Sequence, residues 1–181
     1  LNDLQLAQRI VEDDVEAVNE LVRCHFPPLY RFLRQLTGRA EDAEDLAQQT
    51  LIRARRYAAR YDGRSTLGTW LHRLAYREFT HWRRRQRWTL VLRQASPVMD
   101  RGFRQVEDAI WLEAGLIQLP DGHRATLLLV AVQGLSVEEA ASVLGIPVGT
   151  VKSRLHHARK RLRELLGGEQ EAFNGSEALE S

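Results

Sequence analysis

The stretch from Gly134 to Leu165, GLSVEEAASVLGIPVGTVKSRLHHARKRLREL, decides the fold. Ser136 followed three residues later by Glu139 spells a capping box, in which each side chain satisfies a backbone donor at a helix start. Ala140, Ala141, Val143 and Leu144 give that helix a small-residue inner face, so a second helix can cross it at close range. Gly145 falls where the chain must reverse, a position that favours a residue tolerant of positive φ. Pro147 is tolerated because it opens the next helix. There Val148, Val151, Leu155, Ala158, Leu162 and Leu165 recur at steps of three and four, forming one apolar stripe. The other faces carry Lys152, Ser153, Arg154, His156, His157, Arg159, Lys160, Arg161 and Arg163. Such a helix can seat its stripe on a partner and offer its polar side to a DNA major groove. An ordinary surface helix pair with a solvated basic face is the bland alternative, but caps, turn glycine, stripe and charge all agree on helix-turn-helix.

The formal net charge of +2 hides a segregated pattern. Residues 1–50 carry −5, residues 51–93 carry +10, residues 94–147 carry −4, residues 148–166 carry +5 and residues 167–181 carry −4. Two basic blocks set between acidic ones suggest two contacts with a polyanion and an acidic surface for a basic protein. Cys24, alone in the chain, excludes an intramolecular disulfide, fits a reducing cytoplasm and is expected in the core. The longest apolar run, Leu127 to Val132, is far too short to span a bilayer and is expected to be buried.

The periodicity predicts an all-α chain of two small helical domains joined by a flexible linker. A first helix, capped by Asn2 or Asp3, runs to Val11, and helical spacing continues from Val15 until Pro27-Pro28 interrupts it. A short helix from Leu29 to Leu36 closes at Gly38, and a long one from Ala43 ends near Tyr61. Asp62, Gly63, Ser65 and Gly68 mark a loop. Thr69 to about Arg87 is helical again, and Thr89 to Leu92 is ambiguous with a strand. Residues 1–87 form the first domain, 88–106 the linker and 107–166 the second domain, with a helix headed by Pro120. Residues 167–181 are expected to form an acidic mobile tail.

Two blocks together resemble the extracytoplasmic-function sigma factors of bacterial RNA polymerase. EDAEDLAQQTLIRA, YDGRSTLGTWLHRLA and HWRRRQR, within Ala40 to Arg87, resemble the family's core-docking and promoter-melting domain. LPDGHRATLLLVAVQ and the helix-turn-helix that follows resemble the domain that reads the −35 element. The resemblance implies a protein that binds core polymerase and directs promoter-specific initiation. Asp45, Gln48 and Gln49 then match the positions that dock on the clamp coiled coil of the β′ subunit, with the β subunit and promoter DNA as further partners. A carboxylate flanked by amides suits a basic coiled coil. On an isolated helix Asp42, Glu44 and Asp45 would read as favourable charges near a helix start, and the second block beside them reverses that preference.

The loop Arg60, Gly63, Arg64, Ser65 and Thr66 matches the family's strand-opening loop, which captures an unstacked base of the −10 element. His72 and Arg77 fall on the adjoining −10 helix, and Arg83, Arg84 and Arg85 match phosphate contacts near the duplex junction. Lys152, Ser153, His156 and His157 match −35-contacting positions, with Arg154 and Arg159 as phosphate anchors. An anti-sigma factor, able to hold a cytoplasmic chain at the membrane, is a further candidate partner. The sequence offers no catalytic, metal or cofactor motif: no HExxH, no phosphate loop after a strand and no paired cysteines. A stand-alone helix-turn-helix regulator shares the second block but has no use for Asp45, Gln48 and Gln49.

Overall fold

The computed structural model describes residues 2–93 and 114–177, and among them there are helices and no strand. Helix α1 (Asp3–Val11) starts at Asn2, whose side chain accepts from the Gln5 amide while Gln5 answers to the Asn2 amide. Asp13 turns the chain with a positive φ of 58°. Asp14 then caps α2 (Val15–Thr37), accepting from the amides of Glu16 and Ala17 at 2.9 and 3.2 Å.

The expected break at Pro27-Pro28 does not occur: both prolines lie inside α2. A proline removes one backbone donor and disfavours the helix interior. Here Leu21 on one side and Leu29, Phe32, Leu33 and Leu36 on the other are all buried on one continuous face, so packing holds the segment helical. Cys24 is a second correction, because it is exposed at the margin of that face rather than in the core. Gly38, left-handed at φ 75°, ends the helix.

Helix α3 (Ala40–Tyr57), a single 3₁₀ turn (Ala58–Arg60) and α4 (Leu67–Arg93) complete the first half. Ala43, Ala47, Leu51, Leu71, Ala75 and Phe79 pack against the α2 stripe. Each fully buried Leu or Phe there contributes about 1.5–3 kcal/mol relative to exposure. Glu78 of α4 is 3 % exposed and meets Arg53 of α3 at 3.0 Å. Helix α4 begins before Thr69 and continues to Arg93, so Thr89 to Leu92 are helical and residues 88–93 extend α4. The remainder of the expected linker lies outside the described residues.

The second half contains a short helix α5 (residues 114–118), α6 (Asp121–Leu127), α7 (Val137–Leu144) and α8 (Val148–Glu177). After α6 the backbone widens into a turn in which the Gln133 amide reaches the Leu128 carbonyl at 2.9 Å. Leu127, Leu128 and Leu129 are buried as expected, but Val132 is 52 % exposed because this turn rolls it outward. The capping box is formed: the Ser136 side chain accepts from the Glu139 amide, and Glu139 accepts from the Ser136 amide. Gly145 takes φ 67° and its amide closes on the Ala141 carbonyl at 2.9 Å. Val151, Leu155, Ala158 and Leu162 of α8 are buried against Ala140, Ala141, Val143 and Leu144 of α7. Helix α8 runs past Leu166 into the stretch expected as a tail, as far as Glu177.

The two halves touch, with α7 lying against α4 and α6 against α2. Arg124 is the buried post of this junction. Its guanidinium donates to the Leu36 carbonyl at 2.8 Å and to those of Ile117 and Leu119 at 2.9 and 3.0 Å. A buried cation is tolerable when carbonyls and a nearby carboxylate answer most of its donors. Asp121 lies 3.6 Å from the same guanidinium, and only Nε finds no hydrogen-bond partner among the described residues.

Candidate nucleic-acid interface

Helix α3 turns Leu46, Ala47, Thr50 and Leu51 inward and leaves Asp45, Gln48 and Gln49 exposed on the opposite face. Ile52 continues that face at helical spacing and is 61 % exposed. The sequence reading missed Ile52, although its place four residues after Gln48 and three after Gln49 was the available signal. Asp42 serves the fold instead, accepting from Trp82 Nε1 and pairing with Arg39, both at 3.3 Å. Among the described residues Asp45 makes no ion pair, which leaves its carboxylate for a basic partner.

The loop after α3 is built by local bonds. Tyr61 donates its hydroxyl to the Ser65 carbonyl at 2.6 Å, and the Asp62 side chain accepts from the Arg64 amide at 3.1 Å. Gly63 sits at φ 71°, a conformation that side-chain-bearing residues rarely adopt. Burial, with help from nearby Asp3, pushes the Tyr61 hydroxyl pKa up and keeps it a donor. The Arg64 side chain is 90 % exposed, Thr66 is exposed, and Ser65 is half-buried. Arg60 lies over the Tyr57 ring at 4.8 Å from its centroid. The loop thus shows solvent two cations, hydroxyls and a glycine backbone. An open cleft of about 740 Å³ adjoins it, lined by Asn2, Asp3, Leu4, Tyr61, Gly63, Arg64, Ser65, Thr66 and Glu139.

Along α4 the predicted residues divide. Arg77, Arg84 and Arg85 are exposed, whereas His72 is 5 % exposed. Its Nδ1 lies 2.8 Å from the Gly68 carbonyl and its ring meets Phe32 edge-on. Burial holds the His72 imidazole below its ordinary pKa, so it is a neutral internal residue, and the expected DNA-facing role is corrected. Arg83 is turned to the second half, where it meets Asp121 at 2.9 Å. Two α4 residues to which the sequence reading gave no site role join it to α7. Thr69 donates to Glu139 at 2.8 Å, and Arg73 donates to the carbonyl of Ser142 at 3.1 Å and to its hydroxyl.

On α8, Lys152, Ser153, His156, His157 and Arg159 are exposed opposite the buried stripe. The spacing of the first four puts them together on one face, able to enter one groove. Arg154 is half-buried and lies over Gly122 of α6, so it faces the junction rather than this surface. The His156 and His157 rings are 5.7 Å apart, and His157 also approaches His123 at 6.4 Å. Burial, then Arg154 and His157, keep the His123 imidazole below its ordinary pKa. Among the described residues no cluster of three His, Cys, Asp or Glu side chains could hold a metal ion. No helix of the described residues is long and apolar enough to cross a membrane.

Comparison with known proteins agrees with both halves. Residues 21–89 match sigma-70 region 2 and residues 110–162 match sigma-70 region 4. The chain is 36 % identical over 168 residues to the ECF RNA polymerase sigma factor SigM of Mycobacterium tuberculosis (strain ATCC 25618 / H37Rv), covering 92 % of this chain and 85 % of that protein. It is 30 % identical over 159 residues to the RNA polymerase sigma factor YlaC of Bacillus subtilis (strain 168), covering 82 % and 91 %. Among solved structures it resembles the sigma factor RpoE bound to the anti-sigma factor NepR from Bartonella quintana. That likeness has a TM-score of 0.77 and 27 % identity, and covers 84 % of this chain and 98 % of the other. CnrH bound to the cytosolic domain of CnrY matches with a TM-score of 0.70 and 26 % identity, covering 92 % and 97 %. The chain belongs to the ECF sigma factors of bacterial RNA polymerase, and its two halves correspond to regions 2 and 4 of the sigma-70 family.

Proposed function

We propose that this sigma factor docks on core RNA polymerase through Asp45, Gln48, Gln49 and Ile52, reads the −35 element with Lys152, Ser153, His156 and His157, and captures the −10 strand with the loop from Arg60 to Thr66. The observation that carries this reading is the exposed α3 face on the same chain as an exposed recognition helix. Three polar side chains around one exposed isoleucine form a small apolar centre with a polar rim, the anatomy of a protein-docking patch. A stand-alone DNA-binding regulator would have no use for it. Arg77, Arg84 and Arg85 grip backbone phosphates beyond the −10 loop, and Arg159 does so beside the −35 face. Arg83 and Arg154, engaged at the junction, come into play only when the halves separate on a promoter.

The protein works as an initiation factor without catalysis of its own, in the cytoplasm where polymerase and promoter are found. The two solved structures described above each hold a protein partner, in one of them an anti-sigma factor, which supports a similar restraint on this chain. Gel filtration with core polymerase tests the docking. Co-elution is expected, and separate elution with promoter binding in the absence of core would favour the stand-alone regulator.

A further inference from the structure

The strand-opening loop does not hold its shape by its local bonds alone. Its far end is the first turn of α4, where the backbone amides need acceptors. The Thr66 side chain takes the Thr69 amide at 3.1 Å, as an N-cap should. The Leu67 amide is taken by a residue from the other end of the domain: Asp3 Oδ2 accepts from it at 2.6 Å. The same oxygen lies 3.5 Å from the Tyr61 hydroxyl, whose donation to the Ser65 carbonyl ties the loop across its middle. Tyr61 and Leu67 are 8 % and 2 % exposed, so one carboxylate serves the loop where it leaves the core and where it returns. The next residue of α1 adds a wall. A Cβ on Gly63 would stand 2.9 Å from Leu4 Cδ1, so Leu4 lies directly against the left-handed turn at the tip.

We propose that Asp3 is a positioning residue for promoter opening: through the Leu67 amide and Tyr61 it fixes the −10 loop in the shape that receives an unstacked base. This rests on the reading of that loop as the −10 contact. A carboxylate so near a nucleic-acid surface would ordinarily repel phosphates, but this one sits at the positive end of α4, which offsets its charge. The energetic role is preorganisation. A loop already ordered gives up little conformational entropy when the base arrives, whereas a loose loop gives up some for each group it must fix.

The test uses holoenzyme assembled from core polymerase with wild-type, Asp3→Ala and Asp3→Asn sigma. Two probes come from a promoter that the wild type transcribes: the single-stranded non-template −10 segment and the −35 duplex. Asp3→Ala is expected to bind the −10 strand about threefold to tenfold more weakly, with unchanged affinity for the −35 duplex and for core. Asn still offers an oxygen to the Leu67 amide, so Asp3→Asn should restore most of the strand affinity. Hydrogen exchange in the peptide spanning residues 61–70 should speed up in the Ala variant and not in the Asn variant. Wild-type strand affinity in Asp3→Ala overturns the proposal, as does an equal loss on all three partners, which would mean that Asp3 merely holds the fold. If the wild-type holoenzyme itself fails to bind the −10 strand while binding the −35 duplex, the reading of the loop fails first, and the role of Asp3 with it.

Discussion

Thr69 of α4 donates a 2.8 Å hydrogen bond to Glu139 of α7, so the acid that caps the first helix of the helix-turn-helix also binds the region 2 half of the chain. The Ser136 amide first, and then the Thr69 hydroxyl, hold the Glu139 carboxyl below its ordinary value of 4.5. A carboxyl with a depressed folded-state pKa contributes stability in full above its unfolded value and loses it as pH falls through the lower folded one. Acidification below about 4.5 should therefore loosen the contact between halves. Small-angle scattering should show the wild type expanding in that range. Glu139→Gln keeps the capping box but lacks the ionised partner, so it should lose that dependence. Thr69→Val with Arg73→Ala should be expanded already at neutral pH, and an unchanged radius of gyration would contradict the link.

Arg53 and Glu78 offer a test of the first half alone. Removing Arg53 leaves a carboxylate that is 3 % exposed without its 3.0 Å partner. Arg53→Ala should cost about 1–3 kcal/mol in denaturant unfolding, since an orphaned buried acceptor bears its desolvation penalty. Arg56→Ala, an exposed neighbour on the same helix, should change stability by less than about 0.5 kcal/mol. Equal effects would show that the Arg53–Glu78 pair does not hold α3 on α4.

The docking face should be sensitive to charge and to apolar area separately. Asp45→Arg sets like charge against a basic coiled coil and should abolish core binding. Ile52→Asp removes the apolar centre of the face and should weaken binding by about thirtyfold, a hot-spot loss of about 2 kcal/mol. Both residues are exposed, so circular dichroism and melting temperature should stay near wild type. Retained core affinity in a fluorescence assay would locate the docking surface elsewhere.

Base-reading and phosphate-gripping side chains should separate in promoter selections. Lys152→Ala and His156→Ala should relax preference at −35 positions, each substitution costing about 1–3 kcal/mol at the base its side chain reads. Arg84→Ala should weaken all sequences alike and flatten the salt dependence. Unchanged −35 preference in both recognition-helix variants would mean that the reading face of α8 is misplaced.

The helix-turn-helix was legible because its signals are local: a capping box, a left-handed glycine and a stripe at helical steps lie within thirty-odd residues. Long-range packing was not legible. Pro27 and Pro28 signalled a break that the buried stripe on either side overrode, and Cys24 lay at the edge of that stripe rather than within it. His72 and Arg83 stand on a basic helix, and sequence spacing could not tell that one turns to Phe32 and the other to Asp121. The roles of Asp3 and Glu139 were hidden for the same reason. Each acid reads as an ordinary helix-start residue, and its second partner lies more than sixty residues away.

Run-off transcription with purified core polymerase on a genomic promoter library tests the central claim most directly. The account predicts promoter-dependent products that require this protein, with a shared pair of −35 and −10 sequences upstream of their start sites. Asp45→Arg should abolish the products, and Lys152→Ala should shift which promoters are used. If core polymerase with this protein yields no promoter-dependent product under any salt condition, with no inhibitor present, the account is contradicted.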